Sequence, residues 1–138
     1  MSVKYKDNTK KMINLIEKNI EDEALNIVLD LKRTASESAP HKTGNLEKSF
    51  YYEYKYNGKS IYGEVGVSAI NSSGEDYAVR MHDEDYNLGE QSKRKPGGKS
   101  AYGGGTIKVG KGYLENSMNE AENGYIKAIK NAFEKSIE

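Results

Sequence analysis

Cysteine is absent from the 138 residues, which removes disulfides, thiol nucleophiles and thiolate metal sites together. No window approaches eighteen apolar residues, and the opening MSVKYKDNTKK holds no apolar leader core, so neither a membrane-spanning helix nor a secretory signal is expected. The chain reads as made and kept in a cytosol, unless lysis or a machinery needing no cleavable signal releases it. Excess charge of either sign is also missing: 21 basic residues meet 21 acidic ones, so the whole chain lacks the electrostatic signature of a nucleic-acid binder. Tryptophan is absent and phenylalanine occurs twice, against 11 tyrosines. A core of partly polar aromatics leaves hydroxyls at its margins, which suits a thin layered domain or one whose faces become interfaces. The length fits a single domain over residues 1–138.

What is present starts with a long helical pattern. Residues 10–39 contain neither Gly nor Pro, and Met12, Ile13, Ile16, Ile20, Ala24, Ile27, Val28, Leu31 and Ala35 recur at spacings of three and four, an amphipathic stripe. Asp7 or Asn8 is placed to cap its start, and Pro40 ends it at or just before Ala39. At 1.5 Å per residue such a helix reaches roughly 40 Å, longer than a short sheet covers. Leu15, Leu25 and Leu29 broaden the stripe, so beyond a core helix the pattern allows one that also lines a subunit interface.

Residues 50–67, FYYEYKYNGKSIYGEVGV, hold two period-two runs around Asn57-Gly58, the strongest short-range hairpin signal. With those two residues as the loop, Tyr56 faces Lys59, Tyr54 faces Ile61, Tyr52 faces Gly63 and Phe50 faces Val65. That face is largely apolar, while Tyr51, Glu53 and Lys55 oppose Glu64, Tyr62 and Ser60 on a wetter one. A lone hairpin is marginal in water and needs a cover.

The connector between helix and hairpin runs through Pro40, Thr43, Gly44, Asn45, Leu46 and Ser49. Thr43 or Asn45 can cap a short turn, and Leu46 and Phe50, four apart, can close one side of the core. After the polar turn SAINSSGED, residues 77–82 read as a third strand, with Tyr77, Val79 and Met81 on one face and Ala78, Arg80 and His82 on the other. His82-Asp83-Glu84-Asp85 raises the question of a metal site, but strand neighbours point to opposite faces and spacing fixes no third ligand, so a solvated acidic strand end is expected.

Residues 91–114 contain no acidic side chain beside Lys93, Arg94, Lys95, Lys99, Lys108 and Lys111. The Pro96-Gly97-Gly98 and Gly103-Gly104-Gly105 runs predict a flexible basic insert over about 84–112, with a brief fourth strand at 106–109. Three uses suit such a loop: solvated coil, ordering against an acidic neighbouring subunit, or contact with a nucleic-acid backbone. It contains no P-loop. Leu114, Met118 and Ala121, then Tyr125, Ile129, Ala132, Phe133 and Ile137, form closing helical stripes. Gly124 leaves open whether they are two helices or one. The expected fold is α+β: a small antiparallel sheet of three to four strands packed against a long N-terminal helix and a C-terminal helix.

The ordered pattern Ala39-Pro40-x-x-Thr43-Gly44-x-Leu46-x-x-Ser49, then Tyr77-Ala78-x-x-x-His82, then Gly110-x-x-Tyr113-Leu114 resembles a family of small tailed-bacteriophage proteins, variously minor capsid, head-tail joining or tail-completion proteins. The likeness spans about residues 12–137. It departs from the family where Asp83-Glu84-Asp85 stands in place of a common Glu-x-Gly, and in the length of the insert before Gly110. The resemblance implies rings of identical subunits, hexamers favoured, at the head-tail junction or proximal tail end of a virion or tail-like particle assembled in a host cytoplasm. Its implied partners are the tail tube, tail terminator, sheath or head-connector proteins. In that setting Thr43, Gly44 and Leu46 hold the start of the strand, Tyr113 and Leu114 seat the final helix, and the 91–112 loop touches a neighbour or the tube.

No nucleophile–base or paired-carboxylate spacing points to catalysis, and no cofactor motif is present, so an interaction protein is expected rather than an enzyme. The alternative from a different class is a small nucleic-acid-binding regulator using residues 93–111.

Overall fold

The computed structural model describes residues 9–41, 44–57 and 60–137. The apolar stripe forms α1 (Thr9–Ser38), and Pro40 follows two residues after its end. The expected capping residues of α1, Asp7 and Asn8, lie outside the described residues, as does Thr43. A single turn, α2 (Asn45–Lys48), leads into β1 (Phe50–Tyr56) and β2 (Ile61–Val67). Then come α3 (Tyr77–Asp83), the one-turn α4 (Glu90–Lys93) and α5 (Tyr113–Ser136). The closing stripes are therefore one helix, unbroken at Gly124.

The hairpin differs from its expected register by two residues. Phe50 faces Val67, Tyr52 faces Val65, Tyr54 faces Gly63 and Tyr56 faces Ile61. The ladder continues through a hydrogen bond from the Asn57 N–H to the Ser60 carbonyl, so Asn57 lies opposite Ser60; residues 58–59 lie outside the described residues. Because side chains alternate with period two, a slip of two leaves every residue on its expected face. The Asn57 side chain gives the reason for the slip: its Oδ1 accepts from the Ser60 N–H at 2.9 Å, a contact that uses Asn57 as the flank of the turn.

The sheet has two strands among the described residues, not three or four. Residues 77–82 are helical because Asp76 caps them. Its Oδ1 accepts from the Ala78 and Ala69 amides, both at 3.0 Å, and its Oδ2 accepts from Ser68 Oγ at 3.0 Å, a side-chain cap of the kind that starts helices. These bonds, led by the Ala69 amide, hold the Asp76 carboxyl below its ordinary range. A helix buries Ala78 and leaves Val79 60% exposed, where a strand would have turned Val79 inward with Tyr77. Residues 106–109 form no strand either; the Ile107 N–H donates to the Gly98 carbonyl at 2.7 Å inside a folded loop.

The two long helices run antiparallel. Asn19 Nδ2 donates to Ser136 Oγ at 2.8 Å near one end, and Tyr125 OH donates to Asp30 Oδ2 at 2.6 Å further along. The hairpin lies on α1. An ideal Cβ at Gly63 would stand 2.4 Å from Val28 Cγ2, so only glycine lets β2 approach the helix this closely. The buried cluster collects Ala35, Ala39, Leu46, Phe50, Ala69, Ala78 and Tyr113. It sits at the C-terminal end of α1, so the molecule is well packed at one end and sparsely covered at the other.

Candidate assembly surface

The described residues of the ordered sequence pattern come together at the packed end. Gly44 takes φ +82° before α2, a conformation that costs side-chain-bearing residues energy. Leu46 is buried, Ser49 Oγ donates to the Asn45 carbonyl, and Pro40 is buried beside them. Tyr77 OH accepts from Asn45 Nδ2 at 2.8 Å. Tyr113 is fully buried, donates its hydroxyl to the Ala78 carbonyl at 2.8 Å, and meets Phe50 and His82 edge to face at 5.8 and 4.9 Å. Burial pushes its phenol well above the ordinary tyrosine range. Leu114 packs on the same cluster.

His82 joins α3 to the start of α5. Its carbonyl accepts from the Gly112 N–H at 2.8 Å, and its Nε2 accepts from the Glu115 N–H at 3.2 Å. An amide donor at Nε2 leaves the proton on Nδ1, which donates to Asp83 Oδ1 at 2.8 Å. The imidazole thus satisfies an otherwise unpaired amide in the first turn of α5. Among the described residues, no group of three or more His, Asp or Glu side chains is placed to hold a metal, and no helix is long and apolar enough to cross a membrane.

The six basic residues of the insert do not form one patch. Lys95 Nζ donates to the Ala39 and Ser36 carbonyls at the end of α1 and lies 3.4 Å from Glu47, a cation at a helix C-terminus. Lys111 pairs with Asp85 at 3.1 Å and Lys93 with Glu90 at 3.7 Å. Arg94, Lys99 and Lys108 are exposed.

The insert itself lies across the helix pair as a strap. The Gly98 N–H donates to Ser38 Oγ, and the Gly110 N–H to the Ser38 carbonyl. Ile107 and Val109 are buried. Its central tether is Asp30, which accepts from Ser100 Oγ at 2.5 Å, Tyr125 OH at 2.6 Å, and the Ala101 amide and Arg33 Nη2 at 3.0 Å each. Burial alone would raise the Asp30 carboxyl, but these bonds together hold it below the ordinary value. With its oxygens occupied by protein donors, Asp30 is a clamp rather than a general base. Sequence reasoning missed it, although Asp30, Thr34 and Ser38 at four-residue steps trace a polar line on α1 that a strap can bind.

Beside the packed cluster, along the middle of the two long helices, α1, β2 and α5 enclose an open apolar groove of about 530 Å³. Its floor is Ile20, Ala24, Ile27 and Leu31 of α1, one wall is Ile61 and Val65 of β2, and the other is Met118, Ile126 and Ile129 of α5. Met118 and Ile126 are 40% and 49% exposed, so apolar side chains stay open to solvent along this wall. Hydrogen bonds from Asn57 N–H to Ser60 carbonyl and from Ser68 N–H to Ser49 carbonyl fix the phase of the ladder. In that phase Ile61, Gly63 and Val65 turn their own N–H and C=O groups away from β1. The groove is therefore bordered by an unpaired strand edge, and no hydrogen bond occupies these groups among the described residues.

A second cleft, about 870 Å³, lies between the connector and α3. Its polar groups are largely joined to each other, His41 to Glu47 at 2.5 Å and to Ser92, and Asn45 to Tyr77.

No family model, curated protein or solved structure matches the chain.

Proposed function

We propose that this protein is a structural adaptor of a bacteriophage or phage-tail-like particle, acting at the head-tail junction or proximal tail end through ring-forming contacts between identical subunits. The observation that carries the reading is the apolar groove beside an unpaired strand edge. A domain that leaves apolar surface and backbone donors open side by side is built to be completed by another chain. The resemblance in the ordered motifs names the setting and favours a hexamer. The described motif residues gather at one packed end, which supports structural roles for them, holding the sheet and seating α5, while the groove beside them stays open for contacts.

The nucleic-acid reading has less support. Lys95, Lys93 and Lys111 are held in contacts within the chain, so residues 93–111 offer three separated cations rather than a continuous stripe.

Light scattering across a concentration series, followed by negative-stain imaging with and without isolated tail tubes, tests the proposal. Rings in solution, or rings formed only on tubes, are expected. A monomer at every concentration that ignores tubes and binds duplex DNA with strong salt dependence would overturn it.

A further inference from the structure

We propose that copies of this chain join edge to edge, β2 of one pairing antiparallel with β1 of the next, so that one sheet runs through the ring and the incoming strand covers the groove. The inference rests on the ring-forming self-association proposed above and names the surface that performs it.

Strand β1 is an open edge as well. The ladder phase that turns the N–H and C=O groups of Ile61, Gly63 and Val65 outward on β2 turns those of Tyr52, Tyr54 and Tyr56 outward on β1. No hydrogen bond occupies them among the described residues. The hairpin therefore carries two unpaired edges that run in opposite directions. Repeating it by rotation about a ring axis brings β2 against the next copy's β1 in the antiparallel sense. One repeated contact then satisfies both edges, whereas a two-fold β2–β2 contact would leave both β1 edges bare.

Charge chooses the register. On both edges the free backbone groups belong to residues whose side chains face the helices, so the possible registers differ by steps of two. Repeating the hairpin's own register would set Glu64 against the next copy's Glu53, two like charges directly opposite. A step of two one way sets Glu64 against Tyr51 and gains no ion pair. A step the other way sets Glu64 against Lys55, with Gly63 opposite Tyr56 and Val65 opposite Tyr54. Glu64 is exposed, accepts the Tyr62 hydroxyl at 2.9 Å, and has no cation within salt-bridge distance among the described residues. Lys55 is exposed and pairs with Glu53 at 3.0 Å, so it can bridge both carboxylates. On the helix-facing side the incoming strand brings Tyr54 and Tyr56 over the apolar groove.

The helix layer gives this assembly its curvature. Helix α5 lies beside α1 on the β2 side, since both border the groove with Ile61 and Val65. Two strands are about 10 Å across, and two packed helices about 16–20 Å. A sheet continued from copy to copy therefore bends with its helices on the convex side, and a contact repeated with constant bend can close on itself.

Charge exchange tests the pairing. Lys55→Glu and Glu64→Lys are each expected to melt within a few degrees of the parent. Alone, each is expected to need at least about tenfold more protein to form rings, in solution or on tail tubes. Mixed in equal amounts they are expected to assemble as the parent does, because every contact in an alternating ring then joins opposite charges. The chain has no cysteine, so engineered thiols report without background. Glu64→Cys on one tagged copy and Lys55→Cys on another occupy a non-hydrogen-bonded pair, where side chains are closest, and mild oxidation is expected to link the two species. Glu64→Cys mixed with Tyr62→Cys, the pair that a two-fold β2–β2 contact centred on Gly63 brings together, is expected not to link. Rings without the Glu64–Lys55 link, rings indifferent to both charge reversals, or a link through Tyr62 would overturn the inference and leave the adaptor reading standing. Absence of association under every condition, tubes included, would remove both.

Discussion

Asp30 shows how one side chain can organise three parts of the chain. Its four donors come from α1 itself, the strap and α5, and removing the carboxylate strands the hydroxyls of Ser100 and Tyr125 in a buried site. Losing charged hydrogen bonds and leaving their donors unpaired costs on the order of 3 kcal/mol, so Asp30→Ala is expected to lower stability by about that amount in urea denaturation. The pH dependence has a definite sign. The folded carboxyl sits below its ordinary value of 3.8, so the folded state favours the ionised form relative to the unfolded chain. The contribution is complete above about pH 4 to 5 and lost as the pH falls through the depressed folded value. Asp30→Asn is expected to flatten that acid limb, while its stability at neutral pH falls below that of the parent. An acid limb unchanged by Asp30→Asn would show that the clamp does not hold the strap as described.

At the scale of the element, Gly124 sets propensity against packing. Glycine inside a helix costs about 1 kcal/mol relative to alanine, and Gly124 sits in the middle of α5. An ideal Cβ there would stand 2.2 Å from the Tyr102 carbonyl oxygen, a backbone atom of the strap that has no easy retreat. Gly124→Ala is therefore expected to destabilise by about 1–3 kcal/mol, the usual range for overpacking, and to loosen the Tyr102–Tyr125 contact. A gain in stability would mean the strap yields freely. The same glycine explains why the sequence left one helix or two open: its composition signals a break, and only the strap passing over it gives another reason for its presence. Helix α1 was legible because its apolar stripe, about seven turns long, admits one period, and α5 was legible as two helical stripes though not as one helix. Residues 77–82 were not, because six residues fit a period of two as well as one of 3.6. The cap on Asp76 decided between them. The hairpin was legible in its faces but not in its register, since Asn57-Gly58 can form the turn itself or flank it.

The whole molecule is asymmetric, packed at the motif end and open at the groove, and the sequence concealed this for a physical reason. An apolar stripe on α1 reads the same whether it is covered by its own sheet or by a neighbour. The expected third strand would have closed the groove; with residues 77–82 drawn into α3, β2 is left as an edge. The surface has an energetic signature that separates interface from core. Ile126 is half-exposed in the single chain, so replacing it should change the stability of the monomer by no more than about 0.5 kcal/mol, whereas a buried charge at a subunit contact costs several kcal/mol. Ile126→Glu is thus expected to melt within a few degrees of the parent at concentrations where both are monomeric, yet to remain monomeric where the parent assembles. Val28→Asp, which places a carboxylate between α1 and β2, is expected to unfold the chain instead. If Ile126→Glu assembled as the parent does, subunit contacts would have to lie elsewhere, on the exposed Tyr51 and Tyr62 face of the hairpin.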